Sequence, residues 1–201
     1  MAPRPRVGWQ AGVIPEGSRT AAALLLLYPI GNRAHVCLTR RAGSLGTHAG
    51  QISLPGGTVD DGETIERAAL REAYEEIGLD GDGLRVLGRL TPLYIPVSNF
   101  ALYPVLGMLS ERPSLLASAH EVAHILEVAL DDLLSPHSLR PGWLWRGSET
   151  ITVPFFALCG ERVWGATAMV LSELVQLLRL DASGTDSPEP GLSEPRWTPR
   201  P

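Results

Sequence analysis

The chain has 201 residues, of which 44% are hydrophobic and 19% are charged, and its formal net charge at pH 7 is −5. This length is sufficient for one domain with a hydrophobic core. The acidic balance argues against a nucleic-acid-binding groove, which requires a basic surface. The longest apolar run, residues 21–30, is far shorter than the roughly 20 residues that a membrane-spanning helix needs. We therefore expect a cytoplasmic protein that contacts neither nucleic acid nor a membrane.

Composition predicts three parts along the chain. Residues 1–18 are rich in Pro, Gly and Arg and are predicted to form an N-terminal arm. Residues 19–180 contain the apolar runs and are predicted to form one compact domain. Residues 181–201 combine polar residues with several prolines, which is typical of a flexible tail.

The compact domain is predicted to combine strands with two helices. Apolar runs over residues 20–29 and 34–40 flank Gly31-Asn32, whose turn chemistry favours a hairpin. The Gly-rich stretch 41–62 is too rich in glycine for a regular element. The elements predicted after it are a helix over 63–77, strands at 84–91, 102–109, 122–129 and 150–157, and a helix over 165–180. This mixture favours an α/β fold with helices on a mixed sheet.

Three glutamates of the first predicted helix share one side of it. At about 100° per residue, Glu72, Glu75 and Glu76 fall within an arc of roughly 100°. Glu75 and Glu76 lie in the last turn, where the helix dipole favours cations, and the like charges of Glu72 and Glu76 repel at a spacing of four residues. A divalent cation would offset both penalties, because hard cations prefer carboxylate oxygens. The alternative is an ordinary solvated acidic face with Arg71 nearby.

The residues around these glutamates match a longer pattern. Residues 57–79 fit G-x5-E-x7-R-E-U-x-E-E-x-G-U, where U is apolar, and Ala73 is a small occupant of the first U position. This pattern resembles the Nudix box of the Nudix hydrolase family. The fixed positions that match are Gly57, Glu63, Arg71, Glu72, Glu75, Glu76 and Gly78.

The resemblance implies a fold, an activity and a metal. The fold is a mixed β-sheet between helices, an α/β/α sandwich in which the box forms a loop, a helix and a loop. The activity is hydrolysis of nucleoside diphosphates linked to another moiety, with Mg²⁺ or Mn²⁺ as cofactor. Carried over by position, Glu72 and Glu76 are the main metal ligands, Glu75 is a further ligand or a base, and the backbone of Gly57 joins the metal site.

Two other box residues have a supporting role by the same resemblance. Arg71 and Glu63 are expected to orient the carboxylates and the loop. On the helical wheel Glu63 falls about 180° from Glu72, away from the acidic arc, in agreement with a secondary role.

A second stretch suggests a substrate. Residues 37–57 resemble the motif L-L-T-x-R-[S/A]-x3-R-x3-G-x3-F-P-G-G of coenzyme A pyrophosphatases, a Nudix subfamily. Cys37 and Leu54 are apolar departures from it, whereas Gly46 replaces an arginine. The positions that match are Leu38, Thr39, Arg41, Ala42, Gly50, Pro55, Gly56 and Gly57. The implied reaction converts coenzyme A, or its thioesters, to 3′,5′-ADP and 4′-phosphopantetheine.

Four residues are candidates for contacts with this substrate. Arg41 is predicted to contact a phosphate, with a surface arginine as the alternative. His48 is predicted to contact phosphate or position water, the alternative being a hydrogen bond that orders the loop. Gly56 is predicted to bind substrate. Glu121, which opens a later strand, is predicted to be a base or an extra ligand.

The replacement of arginine by Gly46 keeps other substrates open. Arg40, beside Arg41, is a candidate to compensate for the missing charge. The first alternative is a Nudix hydrolase for ADP-ribose, NADH or a nucleoside triphosphate. The second is a non-catalytic nucleotide-binding module, although such modules usually lack a box glutamate. The expected partner is a small molecule, and a homodimer is one option for assembly.

Overall fold

A computed structural model describes residues 13–43, 50–146 and 149–182. These residues form strands and helices in the following chain order: β1 (Arg19–Ile30), β2 (Arg33–Arg41), β3 (Ile52–Ser53), β4 (Gly56–Thr58), α1 (Ile65–Ile77), β5 (Arg85–Arg89), β6 (Leu93–Ile95), β7 (Phe100–Met108), β8 (Val122–Ala129), α2 (Leu130–Leu134), β9 (Leu139–Arg140), β10 (Trp143–Arg146), β11 (Glu149–Thr152), β12 (Phe155–Leu158), β13 (Glu161–Val163) and α3 (Gly165–Ala182).

The main sheet has eight strands and mixed direction. Its central order is β3-β2-β1-β7-β5, with β4 paired to β1, β6 to β7 and β8 to β2. The pair β1–β7 is parallel, and the other pairs of this sheet are antiparallel. Two smaller sheets consist of β10–β11 and β9–β12–β13. The predicted mixed sheet is therefore confirmed.

Strand β1 is the centre of the core because both of its faces are buried. Leu24 and Leu26 belong to the apolar cluster that includes the inner face of α1. The intervening Leu25 belongs to the cluster that includes α3. Each of these leucines is fully buried, which stabilises the fold by about 1.5–3 kcal/mol per side chain. Helices thus cover both faces of the sheet, as the α/β/α prediction requires.

Helix α1 has well-defined ends. Thr64 has an extended backbone and its hydroxyl accepts a hydrogen bond from the Arg67 N–H at 3.3 Å, so the helix begins at Ile65 rather than at residue 63. Gly78 adopts a left-handed conformation with φ 63° and ends the helix. These caps set which residues occupy the last helical turn, where Glu75 and Glu76 lie.

The structure confirms some predicted elements and corrects others. The hairpin turns at Gly31-Asn32, where Ile30 pairs with Arg33. The expectation that residues 41–62 lack regular structure was wrong, because β3 and β4 lie within them and β4 pairs with β1. Most of the predicted arm and tail lies outside the described residues, so the domain boundaries stay a prediction. Of the helices described, none is both long and apolar enough to cross a membrane.

The pairing of β4 with β1 predicts that replacing Gly56 by a residue with a Cβ atom destabilises the protein. A Cβ atom at Gly56 would lie 2.3 Å from the carbonyl oxygen of Ala22 and 2.6 Å from the Cα of Ala23. We expect Gly56→Ala to lower the free energy of unfolding by about 1–3 kcal/mol, because backbone atoms must shift to relieve the overlap. Gly43→Ala is the control, since no atom lies within 4 Å of a Cβ built there. Equal stability of the two variants in urea denaturation would contradict this account.

Candidate active site

The three glutamates of α1 differ in burial. The Glu76 side chain is 4% exposed and the Glu72 side chain 15%, whereas the Glu75 side chain is 50% exposed. Burying a carboxylate is costly unless it has partners, so the surroundings of Glu72 and Glu76 decide what the site can do.

Glu76 lies over the Gly-rich stretch with few compensating contacts. Its Oε2 accepts a hydrogen bond from the Gly56 N–H at 3.2 Å. Its Oε1 lies 3.6 Å from Nη1 of Arg41. Burial raises the pKa of the Glu76 carboxyl to about 7, and the charges of Glu72 and Glu121 add to the increase. The ionised form therefore needs a further positive charge at this position.

Glu72 packs directly against the backbone of Gly57. A Cβ at Gly57 would lie 2.4 Å from Oε2 of Glu72, so only glycine fits there without displacing the carboxylate. Burial raises the pKa of the Glu72 carboxyl, and Arg71 opposes this increase. The predicted metal-site members Glu72 and Gly57 are thus adjacent in the structure.

Arg71 ties the helix to the loop before it. Its guanidinium donates to Glu72 at 2.9 Å, to Glu75 at 3.1 Å and to Glu63 at 3.1 Å. It also donates to the carbonyl oxygen of Thr58 at 2.8 Å. The hydrogen bonds from Arg71 lower the pKa of the Glu63 carboxyl. This arrangement is what an orienting role of Arg71 and Glu63 requires, and that role stays a prediction.

The donor set fits a divalent cation. Within the ranges that the structure describes, no three His, Cys, Asp or Glu side chains converge into a preformed metal cluster. However, the buried Glu76 has Arg41 as a cationic neighbour at no less than 3.6 Å, and the negative charge of Glu72 raises the pKa of Glu76 further. Mg²⁺ and Mn²⁺ bind carboxylate and carbonyl oxygens, the atoms that Glu72, Glu75, Glu76 and the backbone of Gly57 present. These residues are the ones that would hold the ion.

The remaining predicted residues fall in different places. Glu121 directly precedes β8, and its negative charge raises the pKa of both Glu72 and Glu76, while its role as a base or ligand stays a prediction. Arg41 lies at the site edge, as its contact with Glu76 indicates. The Gly56 N–H donates to Glu76, and the predicted contact of Gly56 with substrate stays a prediction. His48 lies outside the described residues, as does Gly46.

Two features of the site were not expected from the sequence. Arg40 forms an ion pair with Glu161 at 3.0 Å, so its guanidinium already has a carboxylate partner, and its compensation for Gly46 stays a prediction. The Thr58 carbonyl, which accepts from Arg71, was missed altogether. A backbone oxygen leaves no trace in the identity of its side chain, so no sequence signal could have revealed it.

Comparisons with known proteins agree with this geometry. A profile of the NUDIX domain matches residues 18–146. The uncharacterised Nudix hydrolase NudL of Photorhabdus laumondii is 34% identical over 168 residues, which cover 83% of this chain and 89% of NudL. Nudix hydrolase 3 of Caenorhabditis elegans is 26% identical over 182 residues, covering 83% and 76% of the two chains. A solved Nudix hydrolase from M. smegmatis, RenU, has a similar fold, with a TM-score of 0.56, 22% identity and coverage of 90% and 100%.

The chain belongs to the Nudix hydrolase family. Enzymes of this family act on nucleoside diphosphate derivatives and generally use divalent ions such as Mg²⁺ or Mn²⁺. The buried carboxylates over Gly56 and Gly57 are therefore its candidate reaction centre.

Gly57→Ala should separate site geometry from folding. The three atoms nearest to the new Cβ all belong to the end of the Glu72 side chain, which can rotate away while the backbone stays in place. We expect stability near wild type but Mn²⁺ affinity reduced by about 10–100-fold, the usual cost of displacing a ligand's support. The measurement is Mn²⁺ titration combined with thermal unfolding. Unchanged Mn²⁺ affinity would show that Glu72 does not need this glycine.

Glu76→Gln should change how stability depends on pH in metal-free protein. The Glu76 carboxyl has a pKa of about 7 when folded, so the folded state binds more protons than the unfolded state, where carboxyls titrate near 4.3. The free energy of unfolding therefore falls as pH rises through this window. We expect the variant, relative to wild type, to gain about 1–3 kcal/mol between pH 5 and pH 8 in chelator.

The control for this experiment lies on the same helix. Hydrogen bonds from Arg89 lower the pKa of the Glu66 carboxyl, so Glu66 is ionised throughout the same window. Glu66→Gln should differ from wild type by an amount that does not change between pH 5 and pH 8. A flat difference for Glu76→Gln as well would mean that its buried charge is already compensated.

Proposed function

We propose that the protein hydrolyses the diphosphate linkage of coenzyme A and its thioesters, yielding 3′,5′-ADP and 4′-phosphopantetheine. The observation that carries hydrolysis is the buried carboxylate of Glu76 beside the partly buried carboxylate of Glu72, packed over the backbone of Gly56 and Gly57. Residues 37–57, which resemble the coenzyme A pyrophosphatase motif, support the choice of substrate.

The proposed roles follow from position. Glu72, Glu76 and the Gly57 backbone hold the divalent cation, and Glu75, which is half-exposed, adds a ligand or acts as a base. When bound, the cation neutralises charge on the diphosphate and lowers the pKa of a bound water. Arg71 keeps the Glu72 and Glu75 carboxylates oriented through its hydrogen bonds.

Arg41 links the proposed substrate motif to the carboxylates. It lies in the stretch that resembles the subfamily motif, and its guanidinium is 3.6 Å from the Glu76 carboxylate. A planar guanidinium can bind two phosphate oxygens at once, which suits a diphosphate that lies against the metal site. Its side chain is 29% exposed, so it remains accessible to a ligand. We propose that Arg41 contacts the diphosphate of the substrate.

A second substrate class remains in competition. Gly46 stands where the subfamily motif has an arginine, and this loss of charge keeps ADP-ribose, NADH or a nucleoside triphosphate open as the alternative substrate. A non-catalytic module is disfavoured because Glu72, Glu75 and Glu76 are all present. A cytoplasmic location and a homodimer stay predictions.

Parallel turnover assays test the proposal. Coenzyme A, acetyl-coenzyme A, ADP-ribose, NADH and dGTP are each assayed with Mg²⁺ and with Mn²⁺. We expect the highest kcat/KM for coenzyme A or its thioester, and a loss of at least about 100-fold in Glu76→Gln, because a metal ligand is removed. Preference for another substrate would overturn the coenzyme A assignment, and near-normal turnover by the variant would refute the role of Glu76.

A further inference from the structure

Residues 110–121, here called the strap, connect β7 to β8 and cross the C-terminal end of α1. The last carbonyl groups of a helix have no partners within it. The strap supplies two such partners: the Leu116 N–H donates to the Ile77 carbonyl at 2.8 Å, and the Ser118 N–H donates to the Glu76 carbonyl at 2.8 Å. The strap is therefore bonded to the backbone of a site glutamate.

Ser118 holds a second site glutamate as well. Its carbonyl oxygen accepts hydrogen bonds from the Glu121 N–H at 3.0 Å and from the Val122 N–H at 2.8 Å. The Glu121 carbonyl in turn accepts from the Ala42 N–H at 2.8 Å. One peptide segment at Ser118 thus joins the backbone of Glu76 to that of Glu121.

The backbone link between Glu76 and Glu121 counteracts the repulsion between their carboxylates. The bridge through Ser118 brings the backbone of Glu121 near that of Glu76, and the negative charge of Glu121 raises the pKa of Glu72 and Glu76. Like charges repel, so an unrestrained Glu121 would move toward solvent. Hydrogen bonds to backbone groups can hold it in place without bringing another charge into the site.

The beginning of the strap is anchored by side chains. Arg112 donates to both carboxylate oxygens of Glu127, at 3.1 and 2.6 Å, and the buried Tyr28 hydroxyl donates to Glu127 at 3.0 Å. Glu127 belongs to β8, the strand that Glu121 precedes. Both ends of the strap are therefore attached to the same strand.

We propose that Ser118 is a positioning residue, whose backbone N–H and carbonyl hold Glu121 beside Glu76, and that Arg112 keeps the strap in the required path. The inference rests on the proposed function, in which Glu121 acts as a base or a further metal ligand. The role belongs to the backbone of Ser118 and not to its hydroxyl group.

A double-mutant cycle tests the proposal on the substrate that the wild-type enzyme turns over best. Ser118→Pro removes the N–H that donates to Glu76. We expect Ser118→Pro and Glu121→Gln each to lower kcat by about 30-fold or more, with KM changed less than about threefold, because a general base contributes to the chemical step. Ser118→Pro leaves the side-chain contacts of Glu76 with Gly56 and Arg41 intact, so its effect should pass through Glu121. The double variant should therefore be no slower than Glu121→Gln alone.

The cycle has matched controls. Leu116→Pro also removes a strap N–H that caps α1, but that group has no link to Glu121, so kcat should stay within about threefold of wild type. Arg112→Gln loosens the strap at its other end, and its loss of kcat should also be non-additive with that of Glu121→Gln. Arg112→Lys keeps the positive charge and should recover part of the kcat that Arg112→Gln loses. Arg89→Gln removes an Arg–Glu pair elsewhere, with Glu66, and should leave kcat unchanged.

Each outcome decides the question. Additive losses in the cycle, or full kcat in Glu121→Gln, would overturn the inference. If circular dichroism shows that Ser118→Pro does not fold, the double-mutant cycle of Arg112→Gln with Glu121→Gln tests the proposal instead. If the enzyme prefers a diphosphate other than coenzyme A, the proposed substrate fails while the cycle still tests Ser118. If none of the diphosphates is hydrolysed, the proposed function and the role of Ser118 are both refuted.

Discussion

The burial of the Glu76 carboxylate is the constraint on which the site depends. A carboxylate that is 4% exposed must be compensated, yet the described contacts of Glu76 are one backbone N–H and an arginine 3.6 Å away. The negative charges of Glu72 and Glu121 further raise the pKa of the Glu76 carboxyl. A divalent cation is the natural complement to such a group. The local penalty in α1, with acidic residues in its last turn, is the type of conflict expected at a functional site.

The fold supplies this constraint through two packing arrangements. The apolar side of α1 packs in the cluster that contains alternate residues of β1, so the neighbouring side directs Glu72 and Glu76 toward the loop at Gly56 and Gly57. Strand β4 pairs with the same β1 and brings Gly56 and Gly57 under the carboxylates. Because glycine has no Cβ, the backbone can approach Glu72 and Glu76 closely. One central strand therefore determines the relative position of the helix and the loop.

Arg71 and the strap solve a common problem by different means. Several carboxylates must remain close together although they repel one another. Arg71 holds Glu72 and Glu75 with a charge, through a guanidinium that is also bonded to the Thr58 carbonyl. Ser118 holds Glu121 with neutral backbone groups. Glu76, the most deeply buried of the four, lies 3.6 Å from Arg41, farther than Glu72 and Glu75 lie from Arg71, which agrees with its proposed role as a principal metal ligand.

Much of the site could be predicted from the sequence, because its signals are local. The spacing from Gly57 to Gly78 indicated the helix, its acidic side and its family, and the turn residues Gly31-Asn32 indicated the hairpin. Helical periodicity, turn chemistry and a fixed motif spacing all depend on residues near one another in the chain. The same locality explains why the boundaries of α1 were predicted to within about two residues.

The features that depend on contacts between residues far apart in the sequence became apparent only in the tertiary structure. Strand β4 exists because Gly56 and Gly57 pair with β1, more than thirty residues earlier, and a glycine-rich stretch carries no strand signal by itself. The ion pair of Arg40 with Glu161 joins residues that are 121 positions apart, so only the folded chain reveals this partner of Arg40. The sequence by itself determined the chemistry of α1. The approach of Glu121 and Ser118 to that helix follows from hydrogen bonds between segments that the chain brings together only on folding.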